Sequence, residues 1–408
     1  MADNKDKKVL NVPALRFPEF SGEWEKLRLS DFATKITKKN KGNIVKNVLC
    51  NSANLGLVPQ GNYFDREIAN TENTDGYYVI CNGDFVYNPR KSTAAPFGPV
   101  NIYEGEDAGI ISPLYLCFSV HNIFPKFLYY RFKSSAWHSY VYSHGDSGVR
   151  FDRVSIKDDV FFDMPIYKPA QDEQIKIATL LQLIDDRIST QNKIIEKYES
   201  LIQAMCDTLV EQETQQVTLS FSDFGQSYSG LSGKSAEDFG EGYPFITYMN
   251  VYQNQIIDLT DVGLVKINET EQQSVVRYGD ILLTLSSETP EEVGMGAVYL
   301  GETYPLYLNS FCFGIHITDE SKIYPPFLAY YVSSQSFRKA VYPLAQGSTR
   351  FNLQKSDFMK KKFSFPVIEK QHKIYSILKI YSDKLIVEKL IMRLLCNQKC
   401  YLLRQLFI

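Results

Sequence analysis

The chain has 408 residues, 44% of them hydrophobic and 13% aromatic, with 23 Gly, 17 Pro and a formal net charge of -3. That length exceeds one ordinary core and suits two domains with connecting elements, while the composition excludes a disordered chain and a collagen-like repeat. No run of 18 apolar residues occurs, so the sequence offers no candidate membrane span.

Residues 1–23 begin MADNKDKK, a charged tail without the apolar core of a signal peptide, and a cytoplasmic protein is expected. Residues 24–165 form the first expected domain. Apolar runs of strand length, YYVICNGDFVYN and GIISPLYLCFSV, are divided by Gly, Pro and Asn turns and followed by an aromatic amphipathic helix over 127–142. Residues 166–213 read as one long helix. Ile177, Leu181, Ile184, Ile188, Gln191, Ile195, Tyr198, Ile202, Met205 and Leu209 alternate spacings of four and three, a heptad seam over roughly 50 Å at 1.5 Å per residue. Residues 214–366 repeat the first order with YPFITYMNVY, GDILLTL, GAVYLG and SFCFGIHI as strands and a helix over 325–342. Residues 367–408 supply a second seam, Ile374, Leu378, Tyr381, Leu385, Glu388, Met392, Leu395, Lys399, Leu402 and Leu406, in the register of the first.

The two halves are copies. FLYYRFKSSAWHSYVY from Phe127 aligns with FLAYYVSSQSFRKAVY from Phe327, and Arg150-Phe151 with Arg350-Phe351. Gly83-Asp84 pairs with Gly279-Asp280, and Ser30-Asp31-Phe32 with Ser222-Asp223-Phe224. Order is kept while spacing drifts, the pattern of a duplication with loop insertions; a period near 200 gives two domains and not a solenoid. The expected fold is therefore α/β in composition (α+β), with two similar mixed, largely antiparallel sheet domains joined by two long helices forming an antiparallel coiled coil. Charge chooses the partner: residues 172–213 carry net -5 and residues 369–408 net +5, which favours pairing of the two helices with each other over self-pairing. From Lys355 onward the chain is +8, so the near-neutral total hides a polar molecule.

The sequence contains little catalytic chemistry. Gly233-Lys234-Ser235 lacks the glycine of a phosphate loop, because position 228 is Tyr, and Tyr299 occupies the third glycine place of a dinucleotide fingerprint around Gly294 and Gly296. Asn88-Pro89-Arg90 lacks the second Pro and the aromatic residue of an amino-methyltransferase tetrad. His121, His138, His144, His316 and His372 are isolated, and Cys50, Cys81, Cys117, Cys206, Cys312, Cys396 and Cys400 never form Cys-x-x-Cys. Neither a hydrolase triad, a metal pair, a disulfide framework nor a zinc site is expected. What remains suits nucleic-acid recognition by loops. The first copy offers Lys35, Lys38, Lys39, Asn40, Lys41 and Asn43, then Asn88, Arg90, Lys91, Ser92 and Thr93, then Arg150. The second offers Ser227, Tyr228, Ser229, Ser232 and Lys234, then Thr284, Ser286, Ser287 and Thr289, then Thr349 and Arg350. Arg and Lys pair with guanine edges or phosphates, and Asn or Gln with adenine; for each residue the alternative is a solvated loop, or for the two arginines a structural bridge.

The segments RFPEFSGEWEKLRLSDFATKI, NSANLGLVPQGNYFDREIANTENTDGYYVICNGDFVYNPRKS, GDSGVRFDRVSIKDD and EQIKIATLLQLIDDRI together resemble the specificity subunit of Type I restriction–modification systems, over nearly the whole chain. The second helix start departs from the pattern, with Lys370-Gln371 where the first has Glu173-Gln174. The resemblance implies two target-recognition domains, each reading one half of a bipartite double-stranded DNA target, with the helices fixing the spacer. It implies that two methyltransferase (modification) subunits dock on the helices, joined in some systems by restriction subunits. S-adenosylmethionine, ATP and Mg would belong to those partners, and this subunit would hold no catalytic or metal site. The competing class is a protein-binding scaffold whose helices serve as a dimerisation arm.

Overall fold

A computed structural model describes residues 10–62, 74–145 and 152–408. It divides into two compact units, residues 1–191 with 391–408, and residues 192–390.

The first unit is built on a four-stranded antiparallel sheet in the order Ala33–Lys35, Leu116–Val120, Phe85–Tyr87, Val100–Ile102. Alternate residues feed two cores, as strand periodicity requires. Phe85, Tyr87 and Phe118 face one core with Phe127, Phe132 and Trp137, while Val86 and Cys117 face a smaller one with Leu49, Ile80 and Ile111. YYVICNGDFVYN is two strands, Tyr78–Ile80 and Phe85–Tyr87. The turn between them closes when the Cys81 N–H donates to Asp84 at 2.7 Å.

The second unit repeats the sheet as Gly225–Ser229, Cys312–Ile317, Ile281–Thr284, Gly296–Val298. Here Ile281, Leu283, Phe313 and Ile315 face the larger core and Leu282, Ala297 and Cys312 the other. The described strands are largely antiparallel, as expected, with one mixed sheet in which Phe239–Ile246 pairs antiparallel with Val262–Val265 and parallel with Tyr307–Leu308.

Two expectations need correction. The helices over 127–142 and 325–342 are each a pair: Pro125–Lys133 with His138–His144, and Pro325–Tyr331 with Gln335–Val341. Paired serines cause the break. The Ser134 hydroxyl donates back to Arg131 O at 2.7 Å, and that of Ser334 donates to Tyr331 O at 2.7 Å while accepting from Phe337 N at 3.3 Å as the next N-cap. The run YPFITYMNVY is a strand only to Ile246. Thr247 then caps the helix Tyr248–Gln253 by accepting from Asn250 N at 3.1 Å.

In each unit an antiparallel strand pair, Glu25–Arg28 with Pro165–Lys168 or Gln216–Ser220 with Lys362–Pro366, brings the chain to a long helix. These are the central helix Gln171–Glu211 and the distal helix Ile368–Gln405. In the first unit Ile177, Leu181 and Ile184 share a core with Leu402, Leu406 and Phe407, and Asp185 pairs with Lys399. In the second, Ile202, Cys206 and Val210 pack with Ile374 and Leu378. There Glu199 pairs with Lys389 at 2.7 Å and Glu213 with Lys370 at 3.0 Å, so numbers rise on one helix as they fall on the other. The pairing is antiparallel and joins acidic to basic partners. The seam is not a uniform coiled coil: Ile177, Leu181, Ile374 and Leu378 are walls of the domain cores, whereas Ile188, Ile195, Leu209, Leu385 and Met392 are half-buried. Gln191 and Glu388 sit buried at the polar seam positions.

Candidate nucleic-acid interface

In the second unit three short strands, Ser286–Ser287, Phe351–Leu353 and Ala345–Gln346, form one sheet, with Ser286 opposite Asn352 and Ser287 opposite Phe351. The hairpin between the last two carries Ser348, Thr349 and Arg350, all exposed. Gly347 makes its turn at φ +136°, where a Cβ would lie 2.1 Å from Arg350 O. Beside this hairpin the helix Tyr248–Gln253 completes a cavity of about 310 Å³ lined by Tyr248, Met249, Tyr252, Ser286, Ser287, Glu288, Glu292, Phe311 and Arg350. Its far wall is fixed. Tyr252 Oη donates to Glu292 Oε1 at 2.7 Å, Ser287 Oγ to Glu292 Oε2 at 3.0 Å, and Tyr248 Oη to Ser286 O at 2.8 Å. The hydrogen bonds from Tyr252 and Ser287 hold the Glu292 carboxyl below its usual range, and the same contact pushes Tyr252 up to about 12. The structure thus brings together Ser286, Ser287, Thr349 and Arg350 from separate stretches of sequence.

The first unit has the same local frame. Val154 N donates to Pro89 O at 2.8 Å just as Leu353 N donates to Leu285 O at 2.8 Å. The loop 88–98 is pinned by Arg90 N to Asn88 Oδ1 at 3.0 Å and Ala95 N to Ser92 Oγ at 3.1 Å, which leaves Arg90, Lys91 and Ser92 exposed. A cavity of about 330 Å³ lies next to it, bounded by Lys35, Tyr78, Tyr115, Ser155 and Asp158 among others. Lys35 is tied to Asp158 at 2.5 Å, a bond that raises its pKa, and Lys39 stands 3.4 Å above the Tyr78 ring. Lys38 and Lys41 are exposed. Asn40 is buried, accepting from Val45 N at 3.0 Å and donating to Val45 O at 2.9 Å, so its amide braces the loop. Arg150 lies outside the described residues.

Other singled-out residues are occupied elsewhere. Tyr228 is buried, stacked on His316 and donating to Asp280 Oδ2 at 2.7 Å. Its neighbour Ser227 is half-buried in the strand, and Ser229 accepts from Lys355 Nζ at 3.1 Å. Lys234, its side chain 4% exposed, pairs with Glu271 at 2.5 Å, while the Ser232 backbone donates to Gln273 Oε1 and accepts from Gln273 Nε2. Ser235 begins a 3-10 turn by bonding to Asp238, so this glycine stretch folds as a capped turn. Arg350 is exposed and bridges no core elements. Sequence reasoning missed Tyr248, Met249, Tyr252 and Phe311; the four-residue tyrosine spacing after Thr247 was the available signal.

The two helix starts are matched clamps. Gln174 accepts from Phe124 N at 2.8 Å and donates to Pro169 O at 2.8 Å. Gln371 accepts from Tyr324 N at 2.8 Å and donates to Pro366 O at 2.8 Å. The preceding residue differs in charge: buried Glu173 pairs with Arg16 at 2.7 Å, and Lys370 with Glu213. Among the described residues no group of three or more His, Cys, Asp or Glu could hold a metal ion, and no helix is long and apolar enough to cross a membrane.

Comparison with known proteins places these features. Residues 220–394 match the family described as Type I restriction modification DNA specificity domain. The fold is similar to the crystal structure of a Type-I restriction-modification system S subunit from M. genitalium, with TM-score 0.53 and 16% identity, covering 97% of this chain and 99% of that one. It is also similar to a chain from work on the structural basis underlying complex assembly and conformational transition of the type I R-M system, with TM-score 0.58 and 14% identity, covering 93% and 96%. No curated protein matches the sequence.

Proposed function

We propose that the protein supplies DNA sequence specificity to a Type I restriction–modification complex, a reading supported by the match of residues 220–394 to the Type I restriction modification DNA specificity domain and by a fold similar to that of a Type I S subunit. Each unit reads one half of a bipartite target, with exposed loop residues such as Arg90, Lys91, Thr349 and Arg350 at the DNA. The observation that carries this reading is the structural duplication: both units have the same sheet order, the same helix pair and the same glutamine clamp. Two half-sites need two readers of one design. The central and distal helices set the spacer and carry the docking surfaces for two methyltransferase subunits. S-adenosylmethionine, ATP and Mg belong to the partners, and the subunit itself is non-catalytic. A net charge of -3 fits a reader whose partners supply much of the phosphate contact.

The test is a genome-wide map of N6-methyladenine in the native host with the gene present and deleted. Loss of methylation at one motif of two short halves around a fixed gap is the expected result; an unchanged map overturns the proposal. Inserting one heptad into each long helix, after Ile188 and after Leu385, lengthens the recognised gap while leaving both halves unaltered. An active complex with an unchanged gap would refute the ruler.

A further inference from the structure

The geometry points to Arg350 and Glu288 as the pair of side chains through which the second unit reads a G·C base pair in its half-site, an assignment that rests on the DNA-recognition reading above. The strand register places them together. Ser287 lies opposite Phe351 in an antiparallel pair, and Glu288 and Arg350 are the residues that leave the two strands at that rung. Both residues line the same cavity and both are exposed. Among the described residues no side-chain hydrogen bond or ion pair engages Glu288 or the Arg350 guanidinium. The remaining carboxylate, Glu292, is different: it is held by Tyr252 and Ser287 and acts as framework.

A carboxylate at this position decides what the cavity meets. Phosphates would repel Glu288, so a surface built only for the DNA backbone would not place it beside the arginine. A base edge accommodates both charges. Guanine presents O6 and N7 as acceptors for the guanidinium fork, and its partner cytosine presents the N4 amino group as a donor to a carboxylate. An A·T pair fails this test, since adenine offers one donor and one acceptor and thymine O4 would face the carboxylate acceptor to acceptor. Tyr248, Met249 and Phe311 supply the apolar part of the wall beside the two charges.

Methylation maps of the native host complemented with Arg350→Ala, Arg350→Lys or Glu288→Gln test the assignment. The expected result is a G·C pair in one half of the motif that becomes relaxed in all three variants, with discrimination at that pair falling about tenfold in Arg350→Ala. The other half keeps its stringency. Arg350→Lys retains the charge without the fork and so loses selectivity while retaining overall methylation. Even loss of methylation across all sites with the motif unchanged, as a phosphate contact would give, overturns the pairing. So does a Glu288→Gln map with no relaxed position. If deletion of the gene alters no motif, the DNA-specificity reading fails first and the pairing falls with it.

Discussion

Replacing Gln174 by Leu removes a clamp without removing volume. The side chain is buried and holds Phe124 N and Pro169 O, each at 2.8 Å. Phe124 is the N-cap of the helix Pro125–Lys133, and Pro169 O lies just before the central helix, so one amide joins two helix starts. Leucine makes neither bond. A buried backbone group left without a partner costs about 1–3 kcal/mol. The cavity of about 860 Å³ bounded by Phe124, Pro169 and Gln174 admits water to both groups, which selects the low end and gives a total of about 2 kcal/mol. Gln371 is fully buried and reaches a third group, Lys322 O at 3.2 Å, so its loss costs roughly 3 kcal/mol. The chain has two tryptophans, Trp24 and Trp137, both buried in the first unit, so their fluorescence reports that unit alone. With a denaturant slope of roughly 2 kcal/mol/M in urea, Gln174→Leu lowers the fluorescence midpoint by about 1 M. Gln371→Leu leaves that midpoint in place and lowers the midpoint of the remaining far-UV circular dichroism transition by about 1.5 M. A fluorescence midpoint unmoved by Gln174→Leu would refute the clamp, and one moved equally by Gln371→Leu would refute separate cores.

Two further predictions concern charge and the helix seam. Burial, reinforced by nearby Lys399, holds the Lys133 ammonium down to about 8, against about 10.4 in an unfolded chain. Between those values the unfolded state binds more protons, so stability rises as pH climbs from about 8 to about 10.4, by up to roughly 3 kcal/mol. Lys133→Met abolishes that rise, so its stability relative to wild type falls between pH 7 and pH 9.5 in urea titrations; a constant difference contradicts the burial argument. Along the helices, Leu378→Ala lowers the stability of the second unit by about 2–5 kcal/mol because the leucine is fully buried. Lys389→Ala, which removes only the exposed pair with Glu199, changes it by less than about 1 kcal/mol. Hydrogen exchange of the second-unit strands distinguishes the two variants, and equal effects would show that charge rather than the seam holds the helices.

The parts of the fold legible in the sequence were those that depend on period and repetition. The heptads predicted both long helices, opposite charge predicted their pairing, and the duplicated segments predicted twin, largely antiparallel sheets. The parts not legible depend on which residues meet across the chain. Gln174 looks like any polar residue of a helix until Phe124, 50 residues earlier, is seen to need its oxygen. Tyr228 lies in a Ser-rich stretch suited to a loop, yet buried Asp280 draws its hydroxyl inward. Asn40 sits among lysines but closes its own loop. The second-unit cavity is not legible in the sequence because YPFITYMNVY satisfies an apolar strand pattern, and only the cap at Thr247 turns Tyr248 and Tyr252 onto one helix face.

The two units also separate what the duplicated frame requires from what it leaves free. Bonds from side chains to backbone recur with the same geometry, as with the two glutamines. Arg131 and Tyr331, chemically unlike, do the same job: Arg131 Nη2 donates to Pro165 O at 3.0 Å and Tyr331 Oη to Ser364 O at 2.8 Å, each a carbonyl of the closing strand. The tyrosine does so without leaving polar atoms over, whereas Arg131 buries Nε and Nη1 without partners and is pushed down to about 10. Bonds between side chains, by contrast, change partner freely: Tyr130 bonds Asp185 and Tyr330 bonds Ser382, while Glu173–Arg16 gives way to Lys370–Glu213. A backbone group demands a partner wherever the fold buries it, and it accepts any side chain of suitable reach. That freedom lets one architecture carry different loops, and it accounts for a shared fold with the M. genitalium S subunit at 16% identity.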